Sequence, residues 1–390
     1  MIMSVRRKYD EEELRMALLA NGTDGYRQCS VSLMDTIRTT LDFDDQGRCQ
    51  QYHAFHDKAK QYVKEGEAGQ EAVENAVKVM KKDGKGKDYD CILGVSGGVD
   101  STYLALQAKK LGLRVLCVHF DNGWNSELAV ENIEHIVSKC GFDLITEVMD
   151  WEEFRALQLA YFNAHVIDIE AVTDIGIFAA LDRVVKRFGV YHILDGRNHK
   201  TESVLGNWVN KNPQNLLNIA ESQGVWPIRK FPYKHSWDIV RVQRGAKNRR
   251  NYRLLDWIPY MKTNAKQEIM SELGWRDYGG KHYESVFTRF YQGYILPEKF
   301  GVDKRKAHFS NLIFSGHMTK EEAVFELAQP MYDEEVLRED FQFVLKKLGF
   351  TEDTFYKYID TPEVPHEYYG LTRRRLKDWR YWRPTDLMGR

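Results

Sequence analysis

The sequence predicts an α/β protein, built as a doubly wound parallel sheet with a small N-terminal segment before it and a mainly helical domain after it. Three observations predict this. Between residues 88 and 196, short apolar runs alternate with helix-compatible stretches, the pattern of parallel strands buried on both faces and joined by crossover helices. The first apolar run passes directly into Ser96-Gly97-Gly98-Val99-Asp100-Ser101, a glycine turn that opens a helix. Polar loops follow the first, second and fourth runs, which gathers them at the carboxyl ends of the strands, where open α/β sheets bind ligands.

The elements follow in order. Residues 1–53 read as a helix and then a turn-rich segment holding Cys29 and Cys49. Residues 54–87 form a charged, helical linker whose end, KDGKGK, reads as a hinge. In residues 88–225, DYDCILGVS is a strand and STYLALQAKKLG a helix; RVLCVHF is a strand and SELAVENIEHIVSKCG a helix, with Ser126 placed as its N-cap. FDLITEVM is a third strand, residues 151–163 are helical, IGIFAALDRVVKRFG is a helix and VYHILDG a fourth strand. Residues 226–390 are helical, aromatic and charged, without strand alternation.

Bulk properties narrow the function. A net charge of −1 gives no field that favours nucleic acid or an anionic membrane surface. No apolar run approaches the ~18 residues of a membrane span. The start, MIMSVRRKYDEEELRMALLA, is basic, then acidic, then amphipathic, unlike a signal peptide. Five cysteines are few and odd in number, which fits a reduced cytoplasm.

The glycine turn carries the chemistry. Gly97 and Gly98 let the backbone turn sharply and approach an anion with no Cβ in the way. Helix amides behind them point at the anion, and the helix dipole favours its charge. Ser96, Ser101 and Thr102 add hydroxyls, and Asp100 suits a phosphate that carries magnesium. No Gly-x-x-x-x-Gly-Lys-Ser/Thr loop and no Gly-x-Gly-x-x-Gly turn occurs in the chain. The bland alternative is a glycine turn that only joins a strand to a helix.

SGGVDS resembles the PP-loop of the ATP-pyrophosphatase superfamily, whose fold is the adenine-nucleotide α-hydrolase-like sheet. Its members split ATP between the α and β phosphates and adenylate a carbonyl-type oxygen. The resemblance implies ATP on Ser96, Gly97, Gly98, Val99, Asp100, Ser101 and Thr102. It also implies that adenine and ribose lie beside Phe120, Asp121 and Asn122 at the end of the second strand, a stretch that reads equally as an Asn-Gly turn. After the fourth strand, Gly196, Asn198 and Glu202 match a Gly-His-Asn…Asp-Asp…Glu-Thr stretch of such enzymes, whereas His199 and Lys200 stand where that stretch has paired acids. Magnesium would then fall to Asp100 or Glu202. Thr201 in this loop and Asp174 before it are substrate or ion ligands by the same analogy; Asp174 reads as well as a helix cap.

A narrower resemblance covers Cys29 to about Ala323. LDFDDQGRC, SGGVDS, FDNGWNS, VTDIGIFAAL, GRNHKTES, GWRDYGGKHYESVFTRFYQ and GVDKRKAHFSNLIFSGHMTKEEA are similar to the N-acetyl sugar amidotransferase family of lipopolysaccharide and flagellin glycan biosynthesis. The family's reaction replaces an acetamido oxygen by nitrogen through an adenylated imidate, giving an acetamidino sugar, AMP and pyrophosphate. On this resemblance Asp100, Ser101, Lys281, His282 and Lys304 serve the chemistry. Arg289, Arg305, Lys306 and His308 face pyrophosphate or the nucleotide sugar, with Glu284 and Asp303 orienting cations or binding sugar hydroxyls. Lys304 to Lys306 read alternatively as a solvated helix face. No cysteine has the surroundings of a glutaminase nucleophile, so a separate glutaminase subunit is implied as the ammonia source.

The family pattern has two Cys-x-x-Cys zinc pairs near the N-terminus. Only Cys29 and Cys49 stand here, with Tyr26 and Tyr52 in the other two places. A loop held by packing is favoured over Zn2+ completed by His53 and His56. The basic, aromatic tail from Thr372 to Arg383 reads as a terminal helix or a docking segment, and an edge of the second domain could serve a homodimer. Two other readings stand beside the amidotransferase: a PP-loop tRNA-modifying enzyme, against which the near-zero charge counts, and a non-catalytic ATP-binding subunit.

Overall fold

The computed structural model describes residues 25–38, 40–204, 209–233, 249–280 and 283–371. The expected N-terminal helix, Lys281, His282 and the basic tail lie outside the described residues.

Two helices, α1 (Gln50–Tyr62) and α2 (Gly66–Asp83), precede the sheet. Then come β1 (Cys91–Gly94), α3 (Val99–Lys110), β2 (Val115–Asp121), α4 (Glu127–Cys140), β3 (Asp143–Val148), α5 (Trp151–Asn163), α6 (Ala171–Phe188), β4 (His192–Leu194), the short α7 (His199–Glu202), α8 (Pro213–Ser222) and β5 (Arg250–Tyr252). The five strands are all parallel, in the order β3-β2-β1-β4-β5. The order reverses between β1 and β4, which makes the carboxyl ends of those two strands the switch point where ligands bind in such sheets.

Successive residues of β1 show why the sheet is buried on both sides. Cys91 and Leu93 pack with α3, α4 and Met80 of α2, while Ile92 packs with Val184 and Val185 of α6 on the other face. The sheet does not stop at residue 225. Its fifth strand is Arg250–Tyr252, and the helix after it, α9 (Lys262–Leu273), packs on α3 through Ala265, Ile269 and Leu273. That strand is three residues long and carries no apolar run, so only its pairing with β4 reveals it.

Beyond it the chain is helical. A continuous rod combines α10 (Val286–Phe290), a π turn (Tyr291–Ile295) and α11 (Leu296–Phe300); α12 (Lys304–Phe314), α13 (Lys320–Leu327), α14 (Glu334–Leu348) and α15 (Glu352–Asp360) follow. This part is not separate in its packing. Phe287, Phe290, Phe341 and Phe355 share one apolar core with Phe154, Leu157 and Val172 of α5 and α6. Cys29 and Cys49 are buried beside Phe55, Ala307 and Phe314, which ties the N-terminal segment to α1 and α12. Lys306 reinforces the tie through a 2.8 Å ion pair with Asp35. No helix among the described residues is long and apolar enough to cross a membrane.

Candidate active site

The loop between β1 and α3 is shaped from within. Gly97 has φ +77°, and a Cβ there would lie 2.5 Å from the Ala129 carbonyl oxygen. The N-cap residue of α3, Gly98, has no side chain to cap the helix. The hydroxyls of Ser101 and Thr102 donate to the Gly98 carbonyl at 3.2 and 2.7 Å, and Ser96 Oγ accepts from the Gly98 amide at 3.3 Å. In this structure the three hydroxyls that the sequence offers to phosphate brace the loop itself.

A second ring of contacts holds the loop from outside. The Trp275 indole donates to the Gly97 carbonyl at 2.8 Å, and Asn132 pairs with the Arg276 backbone through both its amide groups at 2.9 Å. Tyr278 follows, packed edge-on against Trp275. Its hydroxyl would lie 3.2 Å from a Cβ at Gly98, and the Val99 backbone amide donates toward it. A tyrosine oxygen thus sits against the amide end of α3, where a phosphate oxygen would bind. Burial, with Glu284 and Asp100 nearby, raises the Tyr278 pKa and keeps the phenol protonated.

Asp100 is the centre of the polar groups. Asn198, at the amino end of α7, donates to its Oδ1 at 3.1 Å, and Tyr260 donates to the same oxygen at 2.5 Å. Asn198 Oδ1 in turn accepts from the Thr201 amide at 2.8 Å and caps α7. Gly196 approaches the loop: a Cβ there would lie 3.6 Å from Ser101 Cα. Glu202 is close enough to raise the Tyr260 pKa, behind burial and Asp100 itself. Glu284 comes from the other side, its Oε1 3.7 Å from a Cβ at Gly98. Asp100 and Glu284 thus lie at the loop, with Glu202 on the far side of Tyr260. Magnesium commonly takes one or two carboxylates together with substrate phosphates, and this donor set fits that requirement.

The β2-end loop is fixed by many contacts. Asn125 Nδ2 donates to His119 Nε2 at 3.0 Å, so the His119 Nδ1 hydrogen goes to the Val95 carbonyl at 3.1 Å. Burial lowers the His119 pKa and favours this neutral form. Asp121 Oδ1 accepts from the Gly123 amide and Asn125, while Asn122 donates to Thr173. Phe120 packs into the space that Gly176 leaves. The loop then pairs with the start of α10: the Ser126 amide donates to the Glu284 carbonyl at 2.9 Å and the Val286 amide to the Trp124 carbonyl at 2.9 Å. That pairing carries Glu284 to the glycine loop.

Several residues with sequence-assigned substrate roles are engaged elsewhere. Arg289 forms a two-pronged ion pair with Asp340 of α14 at 2.6 and 2.9 Å. Arg305 pairs with Asp303 and donates to carbonyls at the end of α13. Asp174 pairs with Lys211 at 2.8 Å and is not the N-cap of α6, a position held by Glu170. Lys304 and His308 lie on α12, the helix that also packs against Cys29 and Phe55. Cys49 donates its amide to Cys29 Sγ at 3.3 Å; His53 turns to Asp44 and His56 to the Tyr52 ring. Among the described residues no group of three or more His, Cys, Asp or Glu side chains could hold a metal ion. Tyr260, Trp275, Tyr278 and Asn132 were not singled out from sequence. Trp275 and Tyr278 lie within GWRDYGGK, which was, whereas nothing local marks Tyr260 or Asn132.

Comparison with known proteins agrees with this geometry. Residues 90–220 match the family described as queuosine biosynthesis protein QueC, and residues 284–383 match LPS biosynthesis protein WbpG-like, C-terminal domain. The chain is a PP-loop protein with a WbpG-like C-terminal domain. Solved structures similar to this PP-loop protein include NMN synthetase from Francisella tularensis, at 10% identity, covering 56% of this chain and 100% of that one, with TM-score 0.29. NH3-dependent NAD synthetase from Campylobacter jejuni is 13% identical, with 55% and 99% covered and TM-score 0.28. NAD+ synthetase from Burkholderia pseudomallei is 12% identical, with 58% and 93% covered and TM-score 0.31. No curated protein matches the chain.

Proposed function

We propose that this PP-loop protein is an ATP-dependent amidotransferase acting on an N-acetylated nucleotide sugar in surface-glycan biosynthesis. One observation carries the reading: the segment that begins the WbpG-like match delivers Glu284 to the glycine loop that begins α3. The part of the chain similar to lipopolysaccharide biosynthesis proteins and the part that would bind phosphate meet in one site.

The chemistry balances as two displacements. The acetamido oxygen attacks the α-phosphorus of ATP, the bond to the bridging oxygen breaks, and pyrophosphate leaves with that electron pair. Ammonia then attacks the imidate carbon, AMP leaves with the carbon–oxygen bond pair, and a proton is lost to give the acetamidine. Phosphoryl transfer of this type needs positioning and charge neutralisation more than covalent help. The Val99 amide supplies a donor at the helix end once phosphate displaces the Tyr278 hydroxyl from it. Asn198 and Tyr260 hold Asp100 in one orientation. Asp100, with Glu284 or Glu202, would hold magnesium, which when bound neutralises charge on the departing pyrophosphate. Lys281 and His282, between Tyr278 and Glu284 in sequence, are proposed as cations on the same phosphates.

The cysteines support an external ammonia source. All five are buried, and burial pushes the Cys117 thiol up to about 12 and Cys140 to about 11. Such thiols are poor nucleophiles. Cys29 differs, its pKa lowered to about 5 by its hydrogen bond with Cys49, but it is fully buried beside Phe55 and Phe314, away from the glycine loop; a partner glutaminase is therefore part of the proposal. The match over residues 90–220 favours a second reading, an enzyme of queuosine biosynthesis, which does not use the segment from 284 onward. The deciding experiment supplies Mg-ATP, ammonium and a panel of N-acetylated UDP- and CMP-sugars, and reads product mass. A sugar product lighter by the difference between O and NH supports the proposal; no sugar product across the panel removes it.

A further inference from the structure

A cleft of about 570 Å³ is lined by Tyr260, the residue whose hydroxyl bonds Asp100 of the glycine loop. Its walls include Phe55 of α1, His199 and Lys200 of α7, Tyr260 between β5 and α9, Ala265 and Glu268 of α9, and His317 after α12. Tyr103 of α3, one helical turn beyond Asp100, also lines it. Tyr260 is the shared wall. Its ring lines the cleft, while its hydroxyl is bonded to Asp100. The volume falls in the range of small-molecule sites, roughly 300–1,000 Å³.

We propose that this cleft is the acceptor subsite and takes the polyhydroxylated, N-acetylated ring of the acceptor. The inference rests on the amidotransferase reading and adds to it a place for the second substrate. Sheet order supports the location. β2 lies on one side of β1 and β4–β5 on the other, so a nucleoside at the β2 end and an acceptor at the β4–β5 ends approach the phosphates from opposite flanks.

The lining chooses the class of ligand. Phe55, Tyr103 and Tyr260 supply aromatic surface against which the apolar face of a sugar ring can lie. Lys200 and His317 line the cleft together with Glu65 and with Glu268, which is ion-paired with Lys110, so donors and acceptors are both present. Lys200 already donates to the Ile258 carbonyl at 3.2 Å. Such a lining suits hydroxyl groups, which donate and accept. It does not suit a bare phosphate, which would meet two carboxylates, or a purely apolar ligand. His199 and Lys200, which depart from the paired acids of related loops, gain a role here as part of the acceptor wall.

The test is calorimetric binding of UDP-N-acetylglucosamine to the full chain in the presence of an ATP analogue that cannot be cleaved between the α and β phosphates. UDP alone is the control. Ala59→Phe, on α1 at the cleft wall, fills the space; His317→Ala removes a polar group from the opposite wall. The expected result is at least ~10-fold weaker binding of the sugar nucleotide by Ala59→Phe, with unchanged binding of UDP and of the analogue. His317→Ala is expected to weaken it several-fold. If Ala59→Phe lacks a cooperative melting transition, His317→Ala decides. Unchanged sugar-nucleotide affinity, equal loss of the ATP analogue, or no binding of the sugar nucleotide by the wild type would each overturn the assignment. Wild-type binding without pyrophosphate release from ATP would overturn the amidotransferase reading and leave the cleft assignment standing.

Discussion

Tyr260 donates its hydroxyl to Asp100 Oδ1 at 2.5 Å, joining the carboxylate of the glycine loop to a residue 160 positions later in the chain. Asn198 reaches the same oxygen from the end of β4. The orientation of Asp100 therefore depends on the segments that follow β4 and β5. Tyr260→Phe keeps the ring and removes the bond. The expected result is a fall in kcat for pyrophosphate release of about 10- to 100-fold, because a displaced catalytic group costs rate more than affinity. The ATP KM should stay within about 3-fold of wild type, and steady-state kinetics separate the two.

Trp275 latches the glycine loop through the Gly97 carbonyl at 2.8 Å, and Tyr278 packs against Trp275 with its hydroxyl at the Val99 amide. A phosphate bound at that amide must displace the Tyr278 oxygen. Nucleotide binding is expected to change Trp275 fluorescence, measured as the ATP-induced signal lost in Trp275→Phe. The same variant should bind ATP about 5- to 10-fold more weakly, the effect of one buried hydrogen bond at roughly 1 to 1.5 kcal/mol.

Lys347 of α14 places its ammonium 4.8, 4.7 and 5.1 Å from the ring centroids of Trp124, Trp151 and Phe343, and donates to the Gly123 carbonyl. Burial lowers its pKa. The contact pins the β2-end loop to the C-terminal helices. Lys347→Met should lose about 1 to 2 kcal/mol in urea unfolding, the range of a partly desolvated cation–π contact.

Arg289 and Asp340 form a mostly buried pair that also holds Tyr332. Arg289→Met strands the Asp340 charge and should cost about 3 kcal/mol or more, seen as a lower melting temperature. At a temperature where the variant remains folded, its KM values should match wild type. A raised sugar KM with unchanged stability would place Arg289 on the substrate instead.

Asp256 is fully buried; its Oδ1 accepts from the His199 amide at 2.6 Å, and its Oδ2 has no hydrogen-bond partner among the described residues. Burial raises its pKa from 3.8 to about 6. The folded state then binds a proton more tightly than the unfolded state. The stabilising effect of the protonated form is complete below about pH 3.8 and is lost as pH rises through about 6. Asp256→Asn keeps an acceptor for the amide. Its stability relative to wild type should therefore be greater at pH 7.5 than at pH 4, by roughly 2 to 3 kcal/mol, in paired urea titrations.

The first four strands and the glycine loop were legible because each combines an apolar run with a boundary residue of defined conformation. The fifth strand was not, since Arg250-Asn251-Tyr252 is short and polar and only backbone pairing defines it. Asp100 stood out from its place in the loop, but the residues that orient it did not. Asn198 lies 98 positions away and Tyr260 160 positions away, brought near by strand order and not by local pattern. The sequence offers Arg289 and Arg305 as cations for an anionic ligand. A cation in a motif looks available for an anionic ligand, yet Asp340 and Asp303 neutralise these two within the protein.

The most direct measurement is the fate of ATP, separated chromatographically after incubation of the full chain with magnesium, ammonium and an N-acetylated nucleotide sugar, beside Asp100→Asn. The expected result is AMP and pyrophosphate in equal amounts, dependent on the sugar nucleotide and reduced at least ~100-fold in the variant. ADP and inorganic phosphate, or AMP formation that Asp100→Asn leaves unchanged, would contradict cleavage of ATP at this loop.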